Sequence, residues 1–146
     1  MDKFYELIEI CKKNKDLKKE DLEEGMILVD RGTFKLVIPS NNTDKHGDFF
    51  VYSIKGHDCY SYNSKSTHVY HVIEGEGKFI IDGKEFFVKA GDTLTIEPNK
   101  VFTYIGNMIL TFEMMPNFKE ENDHFVEKVN YKEEEGLKIW ILMLKE

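Results

Sequence analysis

The hydrophobic pattern changes character once along the chain. Near the N-terminus Phe4, Leu7, Ile8 and Cys11 recur at helical spacing, with Asp2 in a capping position and Lys12, Lys13 and Lys15 towards the C-terminal end. This pattern predicts a helix over 3–13. Asp16 as a cap and Gly25 as a stop predict a second short helix over 17–24. From Met26 onward short apolar runs alternate with turn residues, the rhythm of an all-β sandwich or barrel. Strands are predicted at 26–30, 33–38, 49–55, 58–62, 67–73, 78–81, 84–89, 93–96, 101–105 and 108–115. Ile81-Asp82-Gly83-Lys84 is the clearest turn, because Asp-Gly accepts positive φ at both central positions of a two-residue hairpin. Segments 39–48 and 116–123 read as loops. A last strand over 137–144, which includes Trp140, is apolar almost throughout and is expected to be covered on both faces. The chain thus divides into a helical arm, 1–25, and a β domain, 26–146.

Charge and chemistry narrow the partners. Lys and Arg number 20 against 27 Asp and Glu, a net charge of −7, which is the wrong sign for tracking a phosphate backbone. Nucleic acid is therefore not an expected partner. The N-terminus carries acids where a secretory signal carries an apolar core, and no apolar run reaches the roughly 18 residues of a membrane span. Cys11 and Cys59 are too few for a disulfide framework and form no Cys-x-x-Cys pair. A cytoplasmic protein is expected, with no membrane association. The five lysines between 12 and 19 are followed directly by acids and read as a solvated face. Nineteen aromatic residues, concentrated with Val and Ile after residue 25, support strands over a helical bundle.

Between Gly56 and Gly106 the chain resembles the cupin family. The first motif of that family runs Gly, five residues, His-x-His, three or four residues, Glu, six residues, Gly. Gly56, Tyr62-Asn63-Ser64, His68 and Gly75 fall at that spacing. Val72-Ile73-Glu74-Gly75-Glu76-Gly77 is similar to the family's strand-turn signature, and Ala90-Gly91-Asp92 resembles the opening of its second motif. The histidine of that second motif is replaced by Phe102, or by Thr103 in a register shifted by one. The resemblance implies a double-stranded β-helix, a jelly-roll barrel whose three histidines and glutamate hold a divalent metal. Here the inward positions would be Tyr62, Ser64, His68 and Phe102. Phenylalanine offers no lone pair, a serine hydroxyl is a poor ligand, and one imidazole with one phenol is too few. No metal and no other cofactor is expected.

Strand parity extends the inward set. If Tyr62 and Ser64 face inward, so do Asp58 and Tyr60; from His68 so does Tyr70, and from Phe102 so does Tyr104. His57 has the opposite parity and is expected to face outward unless a bulge intervenes. Phenols, one imidazole and one carboxylate on an aromatic floor suit a small hydroxylated molecule. Within that set His68, whose ordinary pKa of about 6.5 allows proton exchange near neutrality, and Tyr62 are the candidate catalytic pair. Asp58, Tyr60, Ser64, Tyr70, Phe102 and Tyr104 are the candidate binding residues.

Three functions fit this reading. The first is a metal-independent isomerase or epimerase acting on a carbohydrate or nucleotide sugar, as some cupin-like branches do. The second is a ligand-binding cupin without turnover, serving as a sensor or store. The third is a metal-dependent cupin enzyme with an atypical ligand set. A homodimer is expected, because the apolar 137–144 strand and the helix face at Phe4, Leu7 and Ile8 exceed what one small barrel must bury.

Overall fold

Helix α1 (Tyr5–Asn14) forms on the predicted spacing and ends at Lys15, whose φ of 54° turns its N–H back to the Cys11 carbonyl at 2.9 Å. It belongs to a computed structural model that describes residues 4–132. The apolar face of α1 is not left for a partner. Phe4, Leu7, Ile8, Cys11 and Leu17 pack on Val37, Phe50, Tyr52 and Ile109 of the chain's own sheet. Each large side chain buried there contributes roughly 1.5–3 kcal/mol. This helix face therefore needs no second subunit to cover it, and the predicted 137–144 strand lies outside the described residues. The second predicted helix shrinks to a 3-10 turn at Lys19–Asp21. Its intended cap, Asp16, is spent instead on the Leu17 N–H at 2.8 Å and the Lys35 ammonium at 2.7 Å, which holds Leu17 fully buried against the sheet.

Nine antiparallel strands follow among the described residues: β1 (Ile27–Asp30), β2 (Phe34–Ile38), β3 (Gly47–Ser53), β4 (Cys59–Asn63), β5 (Thr67–Ile81), β6 (Lys84–Lys89), β7 (Thr93–Ile96), β8 (Phe102–Met115) and β9 (Asp123–Lys128). They form one curled half-barrel sheet. Strand β8 is its hub, pairing with β3 across Met108–Met114, with β5 along its whole length and with β4 through Ser61 and Phe102. The Asp82-Gly83 hairpin joins β5 to β6 with φ of 48° and 81°, as its sequence demands.

Two predicted breaks do not occur. Segments 67–73 and 78–81 are one strand, and so are 101–105 and 108–115. The glycines between them serve close approach, not turns. A Cβ on Gly106 would lie 2.7 Å from the Glu76 carbonyl oxygen, and one on Gly75 2.2 Å from that of Asn107. The two long strands can cross this tightly only without side chains, and a bulge between Val72 and Glu74 absorbs the bend. The predicted 116–123 loop runs directly into β9, a fully exposed edge strand held by its pairing with β4. Its sequence, Asp-His-Phe-Val-Glu-Lys, carries no apolar alternation to mark it as a strand.

The sheet buries both of its faces around β3. Val51 joins the inner core with Tyr70, Phe79, Phe102, Tyr104 and Leu110, while Phe50 and Tyr52 meet α1 outside. This explains an unbroken apolar run at 49–52 where a half-exposed strand would alternate.

Candidate functional site

The concave face forms a half-open cavity of about 270 Å³, lined from β1, β2, β3, β4, β5 and β8 and by Phe118 and Asp123. Of the sequence-derived candidates, Asp58, His68, Tyr70, Phe102 and Tyr104 line it. Tyr60, Tyr62 and Ser64 do not. Ser61 is the cross-strand partner of Phe102, and directly opposed residues share a face. Ser61, Cys59 and Asn63 therefore point into the cavity, and the intervening tyrosines point out. Tyr62 stacks on His124 of β9 with ring centroids 4.8 Å apart, and the Ser64 hydroxyl bonds the Asn122 carbonyl. The one-residue slip lies before the strand, in the irregular segment at 57–58, where His57, Asp58 and Cys59 all reach the cavity and counting from Gly56 loses its parity. The register shift opposite Tyr60/Ser61 places its extra residue, Val126, in β9.

His57, expected to face outward, is instead a cavity residue. Its ring stacks on Phe34 at 4.7 Å and meets Tyr104 edge-on at 5.3 Å. Its backbone is tied down by the Tyr131 hydroxyl, which donates to the His57 carbonyl. Nδ1 lies 2.9 Å from the Cys59 carbonyl oxygen and 3.3 Å from the Cys59 backbone nitrogen. The shorter contact is to an atom that can only accept, so the proton is assigned to Nδ1 and Nε2 keeps its lone pair. Burial pushes the imidazole pKa down, opposed by the Asp58 carboxylate 3.5 Å away. Asp58 in turn accepts from Arg31 Nη2 at 2.7 Å and Nε at 2.9 Å. Arg31, in the β1–β2 turn, belongs to no motif, and nothing in the sequence pairs it with Asp58. Burial also pushes the neighbouring Cys59 thiol up to about 11, so it is protonated near neutrality.

A second aromatic group surrounds His68, which packs against Phe102 at 5.2 Å, Tyr70 at 6.0 Å and Phe112 at 6.0 Å. Burial, aided by His57, pushes its pKa down to about 4. This corrects the expectation of a histidine titrating near neutrality: His68 is a neutral hydrogen-bonding group at pH 7. The Tyr70 and Tyr104 rings, 5.7 Å apart, link the two groups. Burial raises both phenolic pKa values and keeps the hydroxyls protonated. Asp123, exposed as a residue but with its carboxyl at the cavity rim, is raised by partial desolvation there.

The cupin fold implies a metal at the positions that here hold Ser61, Asn63, His68 and Phe102. These residues do not fit one. The Asn63 carbonyl oxygen is consumed by the backbone N–H groups of Lys65 at 2.9 Å and Ser66 at 2.7 Å. What remains for the cavity is an amide NH2, which is a donor and not a ligand. His57, Asp58 and Cys59 do cluster within ligand distance of one another, but Arg31 holds the other oxygen of Asp58, so a cation there would lie beside the guanidinium charge.

Comparison with known proteins agrees with this architecture. Residues 45–108 match the model of the cupin domain. Among solved structures, the nucleoside dehydratase Pac13 from Streptomyces superposes with a TM-score of 0.72 at 23% identity, covering 75% of this chain and 92% of that one. Variants of Pac13 with a histidine or either of two tyrosines replaced were solved with uridine. KdgF from a Halomonas species gives 0.58 at 10% identity, covering 71% and 94%, and an RmlC-like cupin from Shewanella frigidimarina gives 0.58 at 21%, covering 68% and 91%. Identities this low establish the fold. A search of curated proteins finds no match. Among the described residues no helix is long and apolar enough to cross a membrane.

Proposed function

Starting from a chain that carries a cupin domain, we propose that it is an acid–base enzyme acting on the sugar of a nucleoside-like molecule, with loss of water as the reaction. The observation that carries this reading is the His57, Tyr104 and Tyr70 constellation inside a half-open, aromatic-lined cavity. At about 270 Å³ the cavity lies just below the range of roughly 300–1,000 Å³ typical of drug-sized ligands. That size suits one base and one sugar and is too small for a dinucleotide. The spacing of the three residues supports the same reading. The histidine and two tyrosines replaced in the Pac13 variants are separated by 13 and then 34 positions, and so are His57, Tyr70 and Tyr104.

The chemistry follows from the environment of each group. His57 Nε2 takes a proton from a sugar carbon acidified by an adjacent carbonyl, and Asp58 stabilises the imidazolium that forms. The neighbouring C–O bond breaks, Tyr104 gives its proton to the departing hydroxyl, and water leaves. His57 then returns the proton to the Tyr104 phenolate, so the site ends as it began. Among the described residues no comparable carboxylate lies beside His68, which serves as a neutral binding group.

The test is binding and turnover with a panel of nucleosides and their carbonyl derivatives, followed by calorimetry and by mass spectrometry for loss of one water. His57→Gln and Tyr104→Phe should abolish turnover while leaving binding measurable, and Tyr62→Phe should change neither. Failure of every nucleoside to bind, or full turnover in His57→Gln, would overturn the reading. Binding without any turnover would make the chain a binding module.

A further inference from the structure

Asn63 closes β4 with only 3% of its surface exposed, and it lines the same cavity as His68 and Tyr70. The orientation of its amide is not ambiguous. Oδ1 accepts the Lys65 and Ser66 N–H groups, and an NH2 in that place would set donor against donor. Nδ2 is therefore the nitrogen, and among the described residues it is a buried donor with no hydrogen-bond partner. Native interiors rarely tolerate such a group unless something absent from the protein itself pairs with it. The turn at 64–66 fixes the amide before any ligand arrives, so its donor character cannot adapt.

Cys59 and Asn63 bracket β4, and four residue steps along a strand span about 13 Å. The His57 and Asp58 group therefore sits at one end of the strand and Asn63 at the other. That separation matches a nucleoside laid along the cavity, sugar towards His57 and base towards Asn63. Resting on the nucleoside reading above, we infer that Asn63 Nδ2 reads the base by donating to a ring carbonyl oxygen, and so selects a keto pyrimidine over its amino counterpart. Uracil presents an acceptor oxygen where cytosine presents an amino group, and that amino group would face the fixed NH2 donor to donor. His68 does not share this role. A neutral imidazole offers either a donor or an acceptor by changing tautomer, so it accommodates both bases, whereas the locked amide discriminates.

The experiment is calorimetric titration of uridine and cytidine into the wild type, Asn63→Asp and Asn63→Ala. A site built to pair one polar group rejects an analogue that cannot pair it, so the wild type should bind uridine at least about tenfold more tightly than cytidine. Asn63→Asp retains an oxygen for the Lys65 and Ser66 N–H groups and turns the other oxygen, an acceptor, into the cavity. It should reverse the preference. Asn63→Ala should bind the two nucleosides within about twofold of each other. Equal affinities in the wild type, which require no variant to fold, overturn the inference and leave the nucleoside reading standing. A uridine preference that survives Asn63→Asp does the same. Binding of neither nucleoside to the wild type overturns the inference, and the nucleoside reading falls with it when the other nucleosides of the panel fail to bind as well.

Discussion

Acidification from pH 7 to 4 should cost this fold stability through His68 in particular. The imidazole has an ordinary value of 6.5 and is held down at about 4 by burial, with 7% of the residue exposed. Within that interval the unfolded chain is protonated at this site and the folded chain is not, so the unfolded state binds more protons. Stability therefore falls as pH falls: the loss starts as pH drops through 6.5 and is complete below about 4. The interval corresponds to about 3 kcal/mol, a large part of the 5–15 kcal/mol that holds a typical domain together (roughly, for any protein of this size). His57, also pushed down by burial, acts in the same direction, and Asp123, pushed up, acts in the opposite one. Both remain in a His68→Gln variant, which replaces the imidazole by a polar group that does not titrate. Urea denaturation of wild type and variant at pH 7, 6, 5 and 4 isolates the single site. The wild type should lose about 3 kcal/mol more than the variant between the ends of the series, with the divergence opening below pH 6.5. Parallel profiles would refute the claim that burial holds His68 neutral.

Three further perturbations test other parts of the structure. Arg31→Ala removes the guanidinium that depresses His57 and frees Asp58 to face it, so the His57 pKa should rise; a fall or no change in an NMR titration of its ring proton would contradict the arrangement. Leu17→Ala should cost about 2–5 kcal/mol, read from the urea midpoint, because Leu17 is fully buried under the N-terminal segment. A loss below about 0.5 kcal/mol, the level of an ordinary surface change, would mean that this segment is not docked. Gly106→Ala should destabilise by at least about 2 kcal/mol, since its φ is 141° and a Cβ would meet backbone of Glu76 and Gly77 at 2.7 Å; an unchanged midpoint would show that β5 and β8 do not cross this closely.

What could be read from the residues was what local spacing controls. The Asp82-Gly83 turn, strands β6 and β7 and helix α1 depend on neighbours in the chain, and their predicted positions agree with the structure to within a residue or two. His68, Tyr70, Phe102 and Tyr104 could also be placed in the cavity by counting, because β5 and β8 run regularly through those positions. The same counting failed on β4. Strand β4 alternates regularly, with Cys59, Ser61 and Asn63 all on the cavity side. Parity counted from Gly56 does not survive the irregular segment at 57–58, where His57, Asp58 and Cys59 all reach the cavity. A one-residue slip there exchanges every side chain that follows, Tyr62 and Ser64 for Ser61 and Asn63. A clue did exist in the unbroken apolar run at 49–52, which marks a strand covered twice and hence a helix docked on its own sheet. Other features left no local trace. Strand β9 is exposed throughout and exists through its pairing with β4, and the Arg31–Asp58 pair joins residues 27 positions apart. The neutrality of His68 and the stranded donor of Asn63 likewise arise from desolvation and from hydrogen-bond competition in three dimensions. Periodicity along a chain records which face a residue prefers, whereas pairing, bulges and burial between distant segments decide what that face meets.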